Sequence, residues 1–308
     1  MSKVMPRPDA VPPPRKRPLR HRRRQPRGQL QIVWMQYRRH KLALASVFVL
    51  LALFAAAALA PVLAPYDPDA IDLVASAGEP APPSPQHWFG TDELGRDWLS
   101  RALYGARVSL SVGFVAMAIT TTIGIVVGTL AGHHGGWVDA LLMRTTDVFM
   151  SVPSFFLILA VNAYLKPGIY STMAVIGMFS WMGVARLVRG QILSINETEY
   201  ITAARVIGVP PRRLMARHLL PNALAPVIVA GTLQVATAIL VEAGLSFLGM
   251  GVPQPAASWG NMLQAAQPYL DRAWWMSVIP GVLISITVLC LNFVGDGLRD
   301  SLDPTLKR

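Results

Sequence analysis

Residues Leu42 to Ala64 are almost wholly apolar, and five further apolar stretches follow, roughly Val108 to Ala131, Ala140 to Leu165, Ile169 to Val188, Ala223 to Leu248 and Trp275 to Val294. This pattern constrains the chain more than any other feature. The first run holds 23 residues, which as a helix at about 1.5 Å per residue spans roughly 34 Å, enough to cross a bilayer core. The economical reading is an all-α polytopic membrane protein with six transmembrane helices. Composition agrees: charged residues make up only 15% of the chain, against about 25% in soluble domains. The fourth stretch is the weakest, since Gly177, Gly183 and Arg186 interrupt it. A cleaved signal peptide fits the first run poorly, because its apolar region is about 7 to 15 residues long and follows a short basic start. The run reads as a retained signal anchor.

Charge sets the orientation. The net charge is +11, and 13 Lys and Arg residues precede residue 42, among them Arg15-Lys16-Arg17 and Arg22-Arg23-Arg24. Set among prolines, this tail, residues 1–41, cannot build a core and is expected to be disordered. Its position beside a span fits the positive-inside rule and attraction to anionic membrane lipid. Nucleic-acid binding is not expected, since no aromatic-rich or folded basic module accompanies the run. With the tail inside, residues 65–107 lie outside and the interruption from Arg189 to Asn222 returns inside. Six Lys and Arg residues between Arg186 and Asn222, against one between Gly249 and Trp274, agree. Both termini are then cytoplasmic. Trp88, Trp98, Trp137, Trp259, Trp274 and Trp275 all fall near proposed interfaces, as an aromatic belt requires.

Ionisable groups within spans are functional candidates by default, because their burial in lipid is costly. Arg144 and Asp147, three residues apart, are expected to pair on one helix face, and Arg186 and Arg189 to snorkel to the inner interface. Glu242, deep in the fifth stretch with no partner evident nearby in sequence, either lines a path or bonds a neighbouring helix. Asn162 is equally open. Gly124 and Gly128 carry the Gly-x-x-x-Gly spacing of close helix packing. Cys290 stands alone, which excludes an intrachain disulfide or thiolate cluster. His133-His134 are adjacent rather than on one helix face, and Gly244-Leu-Ser246 lacks a nucleophile elbow. No catalytic or metal site emerges. With no Gly-x-x-x-x-Gly-Lys phosphate loop, any ATP must be hydrolysed by another chain.

The polar interruption holds the strongest functional signal. Asn196 and Glu199 have capping-box spacing, Gly208 suits a left-handed cap, and Pro210 or Pro211 can open a second short helix. The expected result is a cytoplasmic helix-turn-helix. Its small face, Ala203 and Ala204, is ringed by Arg205, Arg212, Arg213 and Arg217.

This segment resembles the coupling loop of ATP-binding cassette importer permeases, whose pattern is Glu-Ala-Ala, three residues, Gly, nine residues, Ile, one residue, Leu-Pro. Ala203-Ala204, Gly208 and Leu220-Pro221 occupy the matching positions, while Thr202 replaces the Glu and His218 the Ile. Phe89-Gly-Thr-Asp-Glu-Leu-Gly-Arg-Asp-Trp98 is similar to the external segment of the dipeptide, oligopeptide and nickel permease family. Residues by residue type, it reads as a turn at Gly90 with Thr91-Asp92 capping an interfacial helix; a metal site at Asp92, Glu93 and Asp97 is the alternative. Glu242 to Gly249, Ser258-Trp-Gly-Asn261 and Gly295 to Pro304 resemble the same family in the same order.

The resemblance implies the C-type permease subunit of a bacterial inner-membrane importer of dipeptides or oligopeptides. Its partners would be a second homologous permease, two cytoplasmic ATPase subunits that use ATP and Mg, and an extracytoplasmic solute-binding protein. Residues 108–297 would then be a five-helix permease core with the loop at 190–222, and 298–308 a cytoplasmic tail. Within loop 197–221, Glu199, Thr202, Ala203, Ala204, Arg205, Gly208, Arg212, Arg213, Leu220 and Pro221 would contact or position the ATPase. Asn162 and Glu242 are the substrate-path candidates. The competing readings are an ATP-independent channel or secondary transporter, and an intramembrane enzyme.

Overall fold

The computed structural model describes residues 34–72, 78–165 and 168–302. The basic tail before residue 34 and the final Asp303-Pro304 of the C-terminal motif lie outside them. Helix α1 (Lys41–Ala58) and a short α2 (Ala60–Leu63) are followed by an extended segment and then by α3 (Trp98–His134). Next come α4 (Gly136–Met150), α5 (Ser154–Tyr164), α6 (Ile169–Phe179) and α7 (Met182–Asn196). The loop helices α8 (Glu199–Val206) and α9 (Pro211–Leu214) lead into α10 (Leu220–Phe247), and α11 (Trp259–Ala266) precedes α12 (Trp274–Leu302). No regular strand occurs among the described residues.

Four helical stretches are long and apolar enough to cross a membrane: α1, α3, the continuous run Pro211–Phe247, and α12. The other two apolar regions are broken. Helices α4 and α5 meet at 81°, and α6 and α7 at 40°. The first break holds Pro153, which disfavours helical backbone before it. Each bent pair is either one interrupted span or a re-entrant loop, so the described helices make four to six crossings.

Around α3 the bundle closes by small-residue contacts. A Cβ placed on Gly124 would stand 2.6 Å from Val184 Cβ, and one on Gly128 would stand 2.4 Å from the Ala185 carbonyl oxygen. The Gly-x-x-x-Gly pair therefore seats α7 directly on α3, which the spacing alone did not identify. The start of α1 and the end of α12 share one end of the bundle, where His40 lies 3.4 Å from Asp300 and Gly297 abuts Ala43 and Tyr37.

At the opposite end the polar motif around Asp92 is structural. Asp92 is fully buried and accepts bonds from the Leu94 and Arg96 amides (3.0 and 2.9 Å) and from Arg96 Nε (2.7 Å). Arg96 also donates to Gln254 Oε1 (3.1 Å), and Arg101 to the Pro68 carbonyl (3.0 Å) and Asp69 (3.1 Å). Buried charges persist only when paired in this way. The loop before α3 is thus bolted to the loop before α11.

Three expectations are corrected here. The interfacial helix capped by Thr91-Asp92 does not form. Asp97 caps instead, accepting from the Ser100 amide and hydroxyl (2.8 and 2.7 Å), and its helix runs unbroken into the second span. Nor is the tryptophan set one belt. Trp88, Trp137 and Trp274 are exposed, whereas Trp98, Trp259 and Trp275 are buried in the core. Trp259 Nε1 donates to the Ala102 carbonyl (3.1 Å), which explains its burial. Arg144 does not pair with Asp147. Asp147 meets Arg186 of α7, and Asp139 takes Arg189 through two bonds of 2.5 and 2.6 Å. The two arginines expected to snorkel therefore lock α4 against α7.

Glu242 is the buried polar centre of the bundle. Fully enclosed, it accepts from Ser246 one turn on (2.7 Å) and from Ser109 of α3 (3.3 Å). Ser109 Oγ also accepts from the Trp259 amide (3.1 Å), and Ser258 forms a capping box with Asn261 at the start of α11. One carboxyl group thus joins α3, α10 and α11.

Two stability predictions follow from these contacts. Gly128→Val should lower the melting temperature of the detergent-purified protein by overpacking the α3–α7 seam, at a cost of about 1–3 kcal/mol. Gly190→Val, where a Cβ meets nothing within 4 Å, should melt near wild type; equal melting of both variants would refute the seam. Glu242→Ala should leave Ser109 and Ser246 without their acceptor and cost roughly 1–3 kcal/mol, whereas Glu242→Gln should keep most of the stability. Identical melting of Glu242→Ala and wild type would remove Glu242 from that role.

Candidate functional site

The segment between α7 and α10 forms its site from the backbone outward. Helix α8 starts at Thr198, whose side chain makes no cap bond to the helix and donates instead to the Ile195 carbonyl (2.6 Å). The capping box expected from Asn196 and Glu199 is absent, because Asn196 closes α7 and its Oδ1 accepts from Arg205 (2.9 Å). The helix ends in a left-handed turn. Gly208 has φ +82°, its amide donates to the Arg205 carbonyl (3.0 Å), and the Val209 amide reaches back to Ala204 (3.1 Å). That is the doubly bonded C-terminal cap that glycine permits without a Cβ penalty.

Pro210 then serves as the N-cap and Pro211 as the first residue of α9. The second helix is not a separate short element. It passes through a π-helical turn, Met215–Leu219, straight into α10, so that Pro211–Phe247 is one continuous rod. In the π turn the Leu220 amide bonds Met215, five residues back. Pro221 has no amide hydrogen to give and would crowd the carbonyl four residues earlier, which the wider turn relieves. The Leu-Pro pair marks this junction.

A hydrophobic cluster fixes the loop to the bundle. Ile201 of α8, Leu214 of α9 and Leu219 are buried with Val188 and Ile192 of α7 and Val227 of α10, and Ala204 and Val209 pack against them. Ala204 therefore belongs partly to the loop's own packing. Ala203 is exposed, and so are Glu199, Thr202, Arg205, Arg212, Arg213 and Pro221. The surface also carries three apolar residues that the motif did not single out: Tyr200 (49% exposed), Val206 (82%) and Ile207 (80%). Tyr200, Ala203 and Ile207 lie at i, i+3 and i+7, a one-face spacing that was readable in advance. The loop thus offers a small apolar knob, rimmed by arginines, on a rigid mount.

The other candidates fall elsewhere. Glu242 and Asn162 are both 0% exposed, and each ties elements of this chain together. Asn162 of α5 donates to Thr172 of α6 (3.3 Å) and to the Met250 carbonyl. Glu242 does have a partner near in sequence, Ser246, one helical turn away. Of the acids considered for a metal, Asp92 is held by Arg96, and Asp97 by Ser100 and by His87 Nδ1 at 2.9 Å.

Comparison with known proteins places this arrangement. Residues 124–308 match the family described as "Binding-protein-dependent transport system inner membrane component", and residues 28–83 match the "N-terminal TM domain of oligopeptide transport permease C". The chain is 40% identical over 279 residues to the dipeptide transport system permease protein DppC of Bacillus subtilis (strain 168), covering 90% of this chain and 86% of that one. It is 40% identical over 286 residues to the di/tripeptide transport system permease protein DppC of Pseudomonas aeruginosa (strain UCBPP-PA14), covering 90% and 93%. Among solved structures, an inward-facing MetNI methionine ABC transporter shares the fold at a TM-score of 0.56 and 22% identity, over 66% of this chain and 97% of that one. A multi-pass helical bundle with these matches has one assignment: the chain belongs to the binding-protein-dependent transport system inner membrane components, the permease subunits of ABC importers.

Proposed function

We propose that this permease passes short peptides, dipeptides or oligopeptides, across the inner membrane, driven by ATP hydrolysis in partner subunits. The observation that carries the reading is the loop from 197 to 221, a knob mounted on a rod that runs directly into a membrane span. Relatives named for dipeptide, di/tripeptide and oligopeptide transport support the solute class. Each bent helix pair counts as one span, which gives six spans with both termini cytoplasmic, as the basic residues of the tail and loop require. A second homologous permease forms the other wall of the path, two ATPases with ATP and Mg dock on the loops, and an external solute-binding protein delivers the solute. This chain holds no catalytic or cofactor-binding role and no nucleic-acid partner.

Mechanically, the loop works as a lever. Tyr200, Ala203, Val206 and Ile207 enter a groove of the ATPase, with Arg205, Arg212 and Arg213 at the polar rim. Glu199, Thr202 and Pro221 lie on the same exposed surface, while Gly208 and Leu220 set its shape. ATP-driven closure displaces the knob, and the buried cluster around Ile201 and Leu214 prevents the loop from yielding on its own. The rod Pro211–Phe247 and α7 then move with it, switching the path between inward and outward access.

Two experiments check this reading. Ala203→Glu and Ile207→Asp should keep membrane insertion and thermal stability, yet reduce ATPase retention on purification and peptide-dependent ATP hydrolysis by tenfold or more, the effect of losing a contact worth about 2 kcal/mol. Ala204→Glu should behave differently, lowering stability as well, since it disturbs the cluster. Wild-type ATPase retention and uptake in both surface variants would reject the lever and favour an ATP-independent channel or secondary transporter. For topology, Gln86→Cys and Asp271→Cys should label with an impermeant thiol reagent in intact cells, and Arg213→Cys only after permeabilisation. Labelling of Arg213→Cys from outside would overturn the six-span orientation.

A further inference from the structure

The two helix breaks lie side by side on the surface of the bundle, at the middle of its thickness. Helices α5 and α6 each contain 11 residues, or roughly 16 Å, about half of a hydrocarbon core of ~30 Å. Facing them on the 28-residue α10 are Gln234 and Thr237, near its midpoint. Between the breaks and α10 the surface sinks into a cavity of about 290 Å³, lined by Pro153, Ser154, Ser180, Gly183, Gln234 and Thr237.

Such a place is incompatible with lipid. Residues 151–154 are exposed, and Gly183 and Thr237 are exposed beside them. Neither α5 nor α7 has a side-chain cap, and the first bonded amide of α7 is Ala185, to Trp181. The preceding amides of that turn are left for an outside acceptor. Gln234 covers part of the break by donating to the Ser180 carbonyl (3.3 Å). Non-helical backbone is tolerated at membrane depth only where it is buried in protein or lines a water-filled space. A concave cavity with open volume at Gly183, where a Cβ would meet nothing within 4 Å, favours water over a tightly apposed wall.

We propose that this notch lines the aqueous passage of the assembled transporter, with Ser154, Ser180, Gln234 and Thr237 presenting hydrogen-bonding groups to the peptide backbone of the solute. The solute class rests on the function proposed above; the existence of a water-filled passage here does not. Polar groups that bond main-chain amides and carbonyls accept many side chains, which suits a conduit whose selectivity lies elsewhere. Of the residues that interrupt the weakest apolar stretch, the notch accounts for Gly183; Gly177 packs within α6 against Ile119, and Arg186 pairs with Asp147.

Single cysteines in a Cys290→Ala background of the complete transporter, in membrane vesicles, test this. A small negatively charged methanethiosulfonate reagent should modify Thr237→Cys and Gly183→Cys but not Leu289→Cys on the exposed face of α12, and a mixture of dipeptides with ATP should slow the reaction at the notch. Gly183→Val, at a position where an added Cβ meets nothing within 4 Å, should lose peptide uptake while keeping assembly and ATPase retention; Gly281→Val, equally open but on α12, should keep uptake. Absence of modification at both notch positions, with and without ATP, would show a dry or lipid-covered surface and overturn the proposal, as would wild-type uptake by Gly183→Val. Modification that dipeptides do not affect, in a transporter that takes up none, would support the passage and instead reject peptides as the solute.

Discussion

Hydrocarbon offers no hydrogen-bond partner to a peptide group, and the architecture follows from that constraint. Helices α1, α3, α10 and α12 satisfy it by continuity, their interior amides bonding carbonyls of the same rod. Where the chain departs from a continuous helix, a specific device takes over. At Met215–Leu219 the ladder widens to a π turn so that a proline can enter the rod. Deep in the bundle, a serine-rich cluster surrounds Glu242. Among the described residues, the breaks near Pro153 and Ser180 open onto a surface cavity, the face proposed above to line the passage.

The two ends of the bundle are held by different forces, each suited to its task. Buried ion pairs and hydrogen bonds through Asp92, Arg96 and Arg101 join two long connections at the end carrying residues 65–97. These are directional contacts that define the loops' shape, since a misplaced buried charge is costly. Hydrophobic packing around Ile201, Leu214 and Leu219 governs the other end. Non-directional burial ties the loop to α7 and α10 and leaves its arginine rim exposed. The ion pairs Asp139–Arg189 and Asp147–Arg186 add a crossbrace between α4 and α7 beside the same mount.

The apolar helical stretches, the left-handed cap at Gly208 and the proline start of α9 were legible in the amino-acid sequence, because hydrophobic run length, glycine conformation and proline chemistry act locally; the family was legible through the resemblance of its motifs. Tyr200 and Ile207 were missed, although their helical spacing with Ala203 carried the signal. What the sequence did not disclose was which partner each polar group would take. Arg186 read as a snorkelling side chain and Asp147 as its neighbour Arg144's partner, yet they meet each other across two helices. Asn196 had capping-box spacing, but a longer α7 absorbed it. Glu242 looked unpartnered although Ser246 stands one turn on, and its other partner, Ser109, lies 133 positions away in the chain.

The sequence by itself therefore determined a helical membrane chain with a polar loop, since solvent preference and backbone conformation are properties of short segments, and its motifs carried the resemblance to a permease. Tertiary structure alone decided that Trp98, Trp259 and Trp275 are core rather than belt, that α9 and α10 are one rod, and that two helix breaks share a polar notch. Each of these depends on which surfaces meet across the bundle. Packing selects among pairings that are far apart in the chain, and no local rule of residue spacing contains that choice.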